Sequence, residues 1–473
     1  MHHFQYFIVL LVFFSLNNYA QQGNYKFNNY GNRSILLSGN VTGSVEDLGL
    51  VYYNPSRLVF LKNTGFAFNA KAFQLTSLKI SNIAGEESKA SNTDFDGVPS
   101  MAGGTFNLFN QQFAYSFLSK SRLNIDINYT TTDPQSSVEA SFPDLQNYKS
   151  NINLVTKLKD EWIGLSWAKL INDNLSLGVS LFGSIYQYSG QSNLNYTLQS
   201  TDNSVSSFQY STGFTQDSYG LIIKIGGNYQ FQKFDLGLNI NVPYLEVYKK
   251  ASFHYNNVIS GLSNEYDQFY DFELKNLNSK RKEPLGVSLG AGVPFGKSKF
   301  HFNLDYISGL SKYDRIEIPD IDTGEAQPTS VLFVERRDDV VNFGAGAELF
   351  INEKFKTFFG LSTDFTSYGS NANILDLSSD ESKDINVGED FLHLSFGFEW
   401  KLNWASFVLG TTYTSGSSSF VNPLNISNDG IDLNNTVKSR LDYRRWQFVV
   451  GVEVPFLDNV LIQDNDLNKK ASN

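Results

Sequence analysis

The chain has 473 residues and a formal net charge of −11, with 40 Phe, 25 Tyr, 36 Gly and no Cys. The negative charge argues against nucleic acid as a partner, and the missing thiols exclude disulfides, thiolate metal sites and cysteine nucleophiles. Aromatic residues make up 15% of the chain and charged residues only 18%, so the composition favours strands over helices.

The first 20 residues are predicted to be a secretory signal peptide. Residues 6–16 form an apolar run of 11 residues, which is too short to span a bilayer as a helix. Ala20 suits the last position before cleavage, and no Cys follows that would anchor a lipoprotein. No later run of 18 apolar residues predicts a transmembrane helix.

From about Gly65 the sequence alternates between apolar residues and small or polar ones. The clearest segments are KFDLGLNINVPY, PLGVSLGAGV, HLSFGFEWK and WQFVVGVEVPF. A soluble antiparallel sheet shows the same alternation, but here the polar face is rich in Gly and Ser rather than in Lys and Glu. The pattern therefore favours strands of a membrane barrel. The residues predicted to face lipid include Leu238, Leu289, Phe396 and Val452.

Aromatic residues near strand ends are typical of the girdles of membrane barrels; here they are Trp162, Trp167, Trp400, Trp404, Trp446 and Phe456. Six tight hairpins are predicted from turn-forming residues: SKSR near Lys120, INDN near Asp173, FQK near Gln232, FGKS near Gly296, INEK near Asn352 and KLNW near Asn403. The long polar segments between them are 81–98, 133–158, 188–216, 244–283, 309–338, 367–388 and 415–442.

These elements add up to 14 strands: one before the first hairpin, two in each of the six hairpins, and one after the last. We predict an all-β protein, a 14-stranded antiparallel transmembrane β-barrel over residues 64–456. Short turns would face the periplasm and long loops the outside. An even number of strands lets the sheet close, so that no strand edge is unpaired in lipid. Residues 457–473 form a C-terminal tail that is either disordered or bound to a partner.

Residues 21–63 precede the first strand and contain the motif DLGLVYYNPSRL. Pro55 restricts the backbone and Asn54 can bond to it, which predicts a stiff turn. A barrel of this size leaves a lumen, so the segment is predicted to fold into it as a hatch. The alternative is an ordinary N-terminal turn.

The stretch GNRSILLSGNVTGSVEDLGLVYYNP resembles the N-terminal hatch of the FadL-type outer-membrane transporters, which carry long-chain fatty acids and other hydrophobic compounds. The positions that match the family's hatch motif are Gly39, Gly43, Asp47, Asn54, Pro55 and Ser56. The family more often has Ala after the Pro, so Ser56 departs from its pattern. Outside this stretch the resemblance depends on strand count and loop alternation rather than on motifs.

The resemblance implies a multi-pass protein of the bacterial outer membrane, in contact with its lipid, that takes up a hydrophobic small molecule. The ligand would enter among the extracellular loops, reach a lumenal pocket, and leave sideways through a gap in the wall or inward once the hatch shifts. Inward apolar residues could line that pocket: Phe182, Ile222 and Phe358. Cations could bind a carboxylate: Arg33, Arg57, Lys71 and Lys224. The same cations could instead neutralise inward acids: Asp126, Asp235, Glu348, Glu399 and Glu453.

No catalytic motif is present, so no enzymatic activity, cofactor or metal site is predicted. The acidic loop over residues 376–390 could bind a divalent cation, but a solvated loop is the simpler interpretation. A second hypothesis comes from FadL-like barrels that transport nothing and serve as accessory subunits of outer-membrane complexes such as the type IX secretion machine. The hatch motif favours transport over this role, and over a plain diffusion porin.

Overall fold

The computed structural model describes residues 24–61, 64–83, 88–109, 111–134, 136–262, 267–321, 331–367, 390–421, 426–427, 430–431 and 438–455. The predicted signal peptide, Phe456 and the C-terminal tail lie outside these residues. Helices within them are short: 3₁₀ turns at Ser34–Leu37 and Pro55–Phe60, and α-helices at Leu50–Tyr53 and Ser136–Ser141. None of these helices is long and apolar enough to cross a bilayer.

Strands make up most of the described chain. They are β1 (Thr64–Ser81), β2 (Lys89–Leu108), β3 (Gln111–Thr131), β4 (Leu145–Leu170), β5 (Leu175–Ser200), β6 (Val205–Gln230), β7 (Asp235–Asn241), β8 (Leu245–Ser260), β9 (Gln268–Leu277), β10 (Gly286–Phe295), β11 (Ser298–Ile307), β12 (Leu310–Ile316), β13 (Phe333–Arg337), β14 (Val340–Asn352), β15 (Phe355–Asp364), β16 (Phe391–Lys401), β17 (Ser406–Val421), β18 (Ile426–Ser427), β19 (Gly430–Ile431) and β20 (Lys438–Pro455).

Fourteen of these strands form one closed antiparallel ring. Its order is β1, β2, β3, β4, β5, β6, β7, β10, β11, β14, β15, β16, β17 and β20, and β20 pairs back with β1. The predicted 14-stranded barrel is confirmed. Alternate connections lie on one rim, which we call the short-turn rim; the opposite rim carries the longer connections and is called the long-loop rim.

The ring presents the predicted apolar face outward. Leu238, Leu289 and Phe396 are 37%, 45% and 46% exposed, whereas the intervening Asn239 is buried on the lumenal side. Val452 is half-buried. Because successive side chains of a strand point to opposite faces, these exposures fix the register of the wall relative to the lipid.

Arginine at position 289 is expected to destabilise the protein strongly. Leu289→Arg places a charge on the apolar outer face and should lower the free energy of unfolding by about 2–4 kcal/mol if the residue lies near mid-membrane. Val247→Arg, in the β8 extension, is the control and should change it by less than about 0.5 kcal/mol. The measurement is denaturant unfolding in lipid vesicles, and equal effects of both changes would contradict the assigned lipid face.

Five of the six predicted tight turns are correct, and the first is wrong. Lys120 lies inside β3 rather than at a turn. The register of β3 against β4 shifts between Ser119 and Ser121, which marks a β-bulge. β2 ends at Leu108 and β3 begins at Gln111, so the actual turn lies between them and includes Phe109, which has a φ of 49°. The polar SKSR stretch is thus the site of an inserted residue in a continuous strand.

Trp162 does not belong to the outer aromatic girdle. It is only 4% exposed and points into the lumen, because it alternates with the outward Ile163. Trp400, Trp404 and Trp446 are exposed as predicted, and Trp167 is half-buried.

Most segments predicted as long polar loops contain strand. β5 continues to Ser200 and β6 starts at Val205, so only four residues connect them, although 188–216 was predicted as a loop. β4 likewise begins at Leu145 within the predicted loop 133–158. The wall therefore extends beyond its lipid-facing apolar part, toward the long-loop rim, as a sheet of mostly polar residues. The predicted loop at 367–388 lies almost entirely outside the described residues, as does most of the acidic loop at 376–390.

Two neighbouring wall strands are interrupted at the same level. β8 continues β7 beyond residues 242–244, and β9 leads into β10 through residues 278–285. β7 pairs with β10 below the break, and β8 pairs with β9 above it. Pro243 has no N–H to donate, which fits an interruption of the ladder at this point.

The lumen near the long-loop rim is filled by connecting segments. Val138 of the helix Ser136–Ser141 belongs to a buried apolar cluster with Ile152 and Phe208. The hairpin β12–β13 contributes Ile316 and Phe333 to a second buried cluster. Access from this rim is therefore restricted by the chain itself.

Candidate functional site

The N-terminal segment, residues 24–61, lies inside the ring of strands. Ser38 Oγ is 2.8 Å from Ser395 Oγ in β16, and Asn54 Nδ2 donates to the Gly227 carbonyl of β6 over 3.1 Å. Since β16 and β6 lie on different sides of the ring, the segment must cross the lumen. Its apolar side chains form one buried cluster with inward residues of the wall, including Ala114, Phe182 and Phe358.

Asp47 organises the fold of this segment. Its carboxylate accepts hydrogen bonds from the backbone N–H groups of Arg33, Ser34 and Gly49, at 2.6, 2.8 and 3.0 Å. The Ser34 hydroxyl adds a fourth at 2.7 Å. A buried carboxylate with four donors fixes the local backbone, so this acidic position of the motif has a structural role in the segment.

Asn54, Pro55 and Ser56 form a compact turn. The Asn54 side-chain oxygen accepts from Ser56 N at 3.2 Å and Ser56 Oγ at 2.6 Å, while its amide donates to the Thr42 carbonyl at 2.8 Å. Pro55 starts the 3₁₀ turn, where its missing N–H costs nothing. The serine that departs from the family pattern thus completes the hydrogen bonding of Asn54.

Glycines of the wall allow this turn to approach closely. A Cβ added at Gly226 would lie 2.3 Å from Asn54 Oδ1, and one at Gly178 would lie 2.6 Å from the Pro55 carbonyl carbon. At Gly237 it would lie 2.1 Å from the Thr42 oxygen. Real Cβ atoms do not approach other atoms this closely, so a side chain at these positions would displace the segment.

Glycine is needed at the two motif positions for different reasons. Gly39 has a φ of 71°, a left-handed conformation that favours glycine. Gly43 lies against the wall, and a Cβ there would be 2.4 Å from the Gly290 carbonyl oxygen of β10.

Ion pairs join the segment to the wall near the short-turn rim. Arg57 Nη1 is 3.4 Å from Asp235 Oδ2, and Arg33 lies 4.0 Å from Glu399 and 3.9 Å from Glu453. Both arginines border a polar cleft of about 660 Å³. Of the two roles predicted for Arg33 and Arg57, these contacts match neutralisation of inward acids. The prediction of Asp126 as an inward acid is wrong, because it is exposed on the outer face of β3 between the buried Ile125 and Ile127.

Glu46 makes a further ion pair in this cleft, with Lys299 of β11. Burial alone would raise the pKa of Glu46, but Lys299 and Arg33 outweigh it and lower that pKa. Burial lowers the pKa of Arg57, while Asp235 opposes the shift. The carboxylate of Glu46 is thus held ionised between two cations.

On the other side of the segment lies a cavity of about 100 Å³ beside Tyr52. Lys224 Nζ is 3.7 Å from the centre of the Tyr52 ring and Lys120 Nζ is 5.7 Å from it. Trp162 packs against the same ring at 5.9 Å, and Ile222 also lines the cavity. Aromatic, aliphatic and cationic groups therefore meet here, as in a site for an amphipathic ligand.

Not all residues predicted for the ligand site meet at this cavity. Lys224 and Ile222 line it, and Phe182 lies behind it, with its ring 5.4 Å from that of Trp162. Phe358 is buried in the wall opposite and does not line it. Lys71 is buried and donates to Asn28 Oδ1.

Two residues of the cavity were missed from the sequence. The sequence predicts a turn at Lys120 and a position in the outer girdle for Trp162. The alternation of Ile163 and Leu165 with Gly164 signals that Trp162 points inward. No comparable signal identifies Lys120, because a bulge interrupts the alternation beside it.

The wall beside the cavity is split between β2 and β3. These strands pair only over Met101–Leu108 and Gln111–Leu118. Beyond that, β2 pairs only with β1 and β3 only with β4, toward the long-loop rim. A hydrogen bond from the Asn92 side chain to the Asp126 carbonyl bridges the two strands higher up.

The N-terminal segment covers the base of this gap. The Tyr30 hydroxyl donates to the Lys120 carbonyl at 2.9 Å, as does Asn28 Nδ2 at 3.1 Å. On the other edge, Ser100 Oγ of β2 donates to the Asn29 carbonyl at 2.9 Å. Burial raises the pKa of Tyr30, so its hydroxyl keeps the proton that it donates.

No protein-family model matches the chain, and no curated protein matches its sequence. Several solved structures, however, match its fold. The Pseudomonas putida toluene transporter TodX has a TM-score of 0.54 at 14% identity, covering 91% of this chain and 99% of that one. A FadL homologue of Pseudomonas aeruginosa has a TM-score of 0.53 at 12% identity, covering 93% and 100%.

At these identities the likeness concerns the fold, which this chain shares with TodX and the FadL homologue. The resemblance noted in the N-terminal motif is thus confirmed at the level of the architecture. A TodX variant described as a monoaromatic hydrocarbon channel gives the same result, with a TM-score of 0.52 at 13% identity over 91% of this chain and 100% of that one.

Proposed function

We propose that this protein is an outer-membrane channel for the uptake of hydrophobic small molecules, and that residues 24–61 are its hatch. The observation that carries the proposal is the split between β2 and β3 beside a cavity that the N-terminal segment covers. The similar structures are described as a toluene transporter and a FadL homologue, which supports a hydrophobic ligand.

In this proposal the short-turn rim faces the periplasm and the long-loop rim the outside, as in other outer-membrane barrels. A ligand enters past the connections that fill the long-loop end. The cleft with Arg33 and Arg57 then lies on the periplasmic side.

The hatch has to move for transport to occur. A cavity of about 100 Å³ is smaller than pockets for drug-sized ligands, which have volumes of about 300–1,000 Å³. The contacts of Tyr30 and Asn28 with the Lys120 carbonyl close the base of the gap. Their release would join the cavity to the gap, whose outer surroundings are apolar through Phe73, Phe95 and Tyr115. The ligand would leave sideways into the membrane.

We further propose that the ligand carries a carboxylate, as a long-chain fatty acid does. Lys224 and Lys120 both approach the Tyr52 ring in the cavity. Lys224 Nζ has one hydrogen-bond acceptor at 2.6 Å, Asn241 Oδ1, and an ammonium group has three protons to donate.

The double change Lys120→Met and Lys224→Met should lower the uptake of a labelled long-chain fatty acid about tenfold, since charge-assisted bonds to a carboxylate would be lost. Uptake of toluene should remain within about twofold, because a neutral ligand makes no such bonds. Lys71→Met is the matched control, since Lys71 is also a buried inward lysine but does not line the cavity. Because Lys71 bonds to Asn28 of the hatch, any effect of this change on uptake should be equal for the two ligands.

The measurement is uptake by cells that contain equal amounts of each folded variant. An equal loss of uptake for both ligands would refute the proposal that the ligand carries a carboxylate. The protein would then be a channel for neutral hydrocarbons. If the wild-type protein transports neither ligand, the accessory role in a larger outer-membrane complex becomes the better proposal.

A further inference from the structure

We propose that the outer wall of the barrel binds the phosphate headgroup of an outer-leaflet lipid at Arg122, Lys157 and Lys159. This proposal relies on the membrane orientation given above and does not require that the protein transports a ligand. The three residues lie on neighbouring strands, outside the lumen and away from the cavity.

The register of β3 and β4 brings the three cations together. Arg122 lies directly opposite Lys159, and Asn124 lies opposite Lys157. Directly opposite residues have Cβ atoms about 4.5–5.5 Å apart, and diagonal neighbours are still within reach of long side chains. All three side chains are exposed on the outer face.

The β-bulge at Ser119–Ser121 is what turns Arg122 outward. Before it, Tyr115 is exposed and Ala114 buried; after it, Arg122 is exposed and Ile125 buried. An inserted residue exchanges the two faces of a strand. Without the bulge, Arg122 would point into the lumen.

Two of the three charges in this patch have no ion-pair partner among the residues that the structure describes. Lys159 pairs with Glu161 at 3.1 Å, but Arg122 and Lys157 form no ion pair with any residue that the structure describes. Like charges directly opposite each other in a sheet are destabilising. The arrangement therefore suits an anion that all three side chains can contact.

The position of the patch selects a lipid as the source of that anion. Ile163 and Leu165, 60% and 54% exposed, lie on the same face of β4 toward the short-turn rim. On the other side of the patch, beyond Val155, the outward residues Asn153 and Asn151 of β4 are polar. A phosphate at the patch would thus continue into acyl chains along Ile163 and Leu165, and arginine provides the fork that phosphate oxygens prefer.

The test is native mass spectrometry of the full-length protein in dodecyl maltoside, titrated with didecanoyl phosphatidic acid. The triple variant Arg122→Gln, Lys157→Gln, Lys159→Gln should bind this probe at least about tenfold more weakly than wild type. The control is the triple variant Lys149→Gln, Lys249→Gln, Lys250→Gln. It removes three exposed positive charges from β4 and β8 outside the patch. It should bind like wild type.

Two further probes identify the source. Didecanoyl glycerol, which lacks phosphate, should bind equally weakly to both triple variants and wild type. Inorganic phosphate should not compete at millimolar concentration. Competition by inorganic phosphate would overturn the lipid assignment, and equal binding of phosphatidic acid to the wild type and the Arg122 triple variant would overturn the site.

Thermal unfolding of the single variant Arg122→Gln provides a second measurement should the triple variant not fold. Without lipid its midpoint should equal or exceed that of wild type, because a like-charge pair is removed. Phosphatidic acid should raise the wild-type midpoint more than that of the variant, since a ligand stabilises the folded state in proportion to its affinity. Equal rises would contradict the proposal.

Discussion

Deletion of residues 21–63 is expected to leave a closed barrel that conducts small ions severalfold better than the full-length protein. The ring is closed by pairing between its own strands, including the contact of β1 with β20. The deleted segment, in contrast, crosses the lumen and joins wall residues in one buried cluster. The measurement is single-channel conductance in planar bilayers, with heat-modifiable gel mobility as the check that the barrel has folded.

A wall variant tests the same point without shortening the chain. Gly226→Val should push the Asn54–Pro55 turn out of place, because even a Cβ there would lie 2.3 Å from Asn54 Oδ1. The adjacent Gly227 is the control, since its Cβ would meet Leu177 at 3.6 Å, an ordinary contact. Conductance should rise in Gly226→Val and not in Gly227→Val. If neither this variant nor the deletion conducts more than wild type, the N-terminal segment is not a hatch.

A disulfide between Ser38→Cys and Ser395→Cys is expected to stop uptake almost completely, and reduction is expected to restore it. The two hydroxyl oxygens are 2.8 Å apart, which brings the side chains within reach of a disulfide. Since the natural chain has no cysteine, only the engineered pair can form. The bond would fix the N-terminal segment to β16 and prevent the movement that transport requires. Uptake of labelled fatty acid before and after reductant measures the effect.

Ser166→Cys and Ser180→Cys form the matched control. Their hydroxyl oxygens are 2.6 Å apart in β4 and β5, so this disulfide joins two wall strands and leaves the segment free. It should not affect uptake in either redox state. Full uptake by the oxidised 38–395 variant would show that transport needs no movement of the segment at Ser38, and would refute the gating mechanism.

The lipid-facing part of the wall was predictable from sequence because it depends on residues that are close to each other along the chain. A strand in a bilayer needs apolar side chains at alternate positions, as at Leu236, Leu238 and Ile240, and this period is visible in the sequence. Tight turns are equally local, which is why Asp173, Gly296 and Asn403 were placed correctly. These two signals suffice for the number of strands and their order.

Features that depend on tertiary contacts were not predictable. The polar SKSR stretch has the composition of a turn, yet the protein uses it as a bulge whose carbonyl at Lys120 is satisfied by Tyr30 and Asn28, some 90 residues earlier. The sequence predicts loops for the upper wall because apolar and polar residues do not alternate there as they do in lipid-facing strands. Side-chain hydrogen bonds between adjacent strands support the pairing there, as from Asn193 of β5 to Asn153 of β4.

The motif glycines and Asn54–Pro55 were found because a resemblance pointed to them. Their physical reasons became clear only with the partners in the wall, since Gly43 faces Gly290 and the turn faces Gly226. The cavity residues Tyr52 and Trp162 could not be paired from the sequence for the same reason.

The closing contact between β1 and β20 also constrains how the protein assembles. It joins residues nearly 400 positions apart, as in Thr64 opposite Pro455, and such distant contacts form late in folding because long loops are costly to close. The N-terminal segment is continuous with β1, so it can pack against the inner faces of β5–β7 and β14–β16 while the sheet is still open. Once the seam has closed, the same segment would have to thread into a finished ring. Weak docking of the segment is therefore a defect of assembly as well as of gating, and it would appear first as a larger share of closed barrels in which the segment lies outside the lumen.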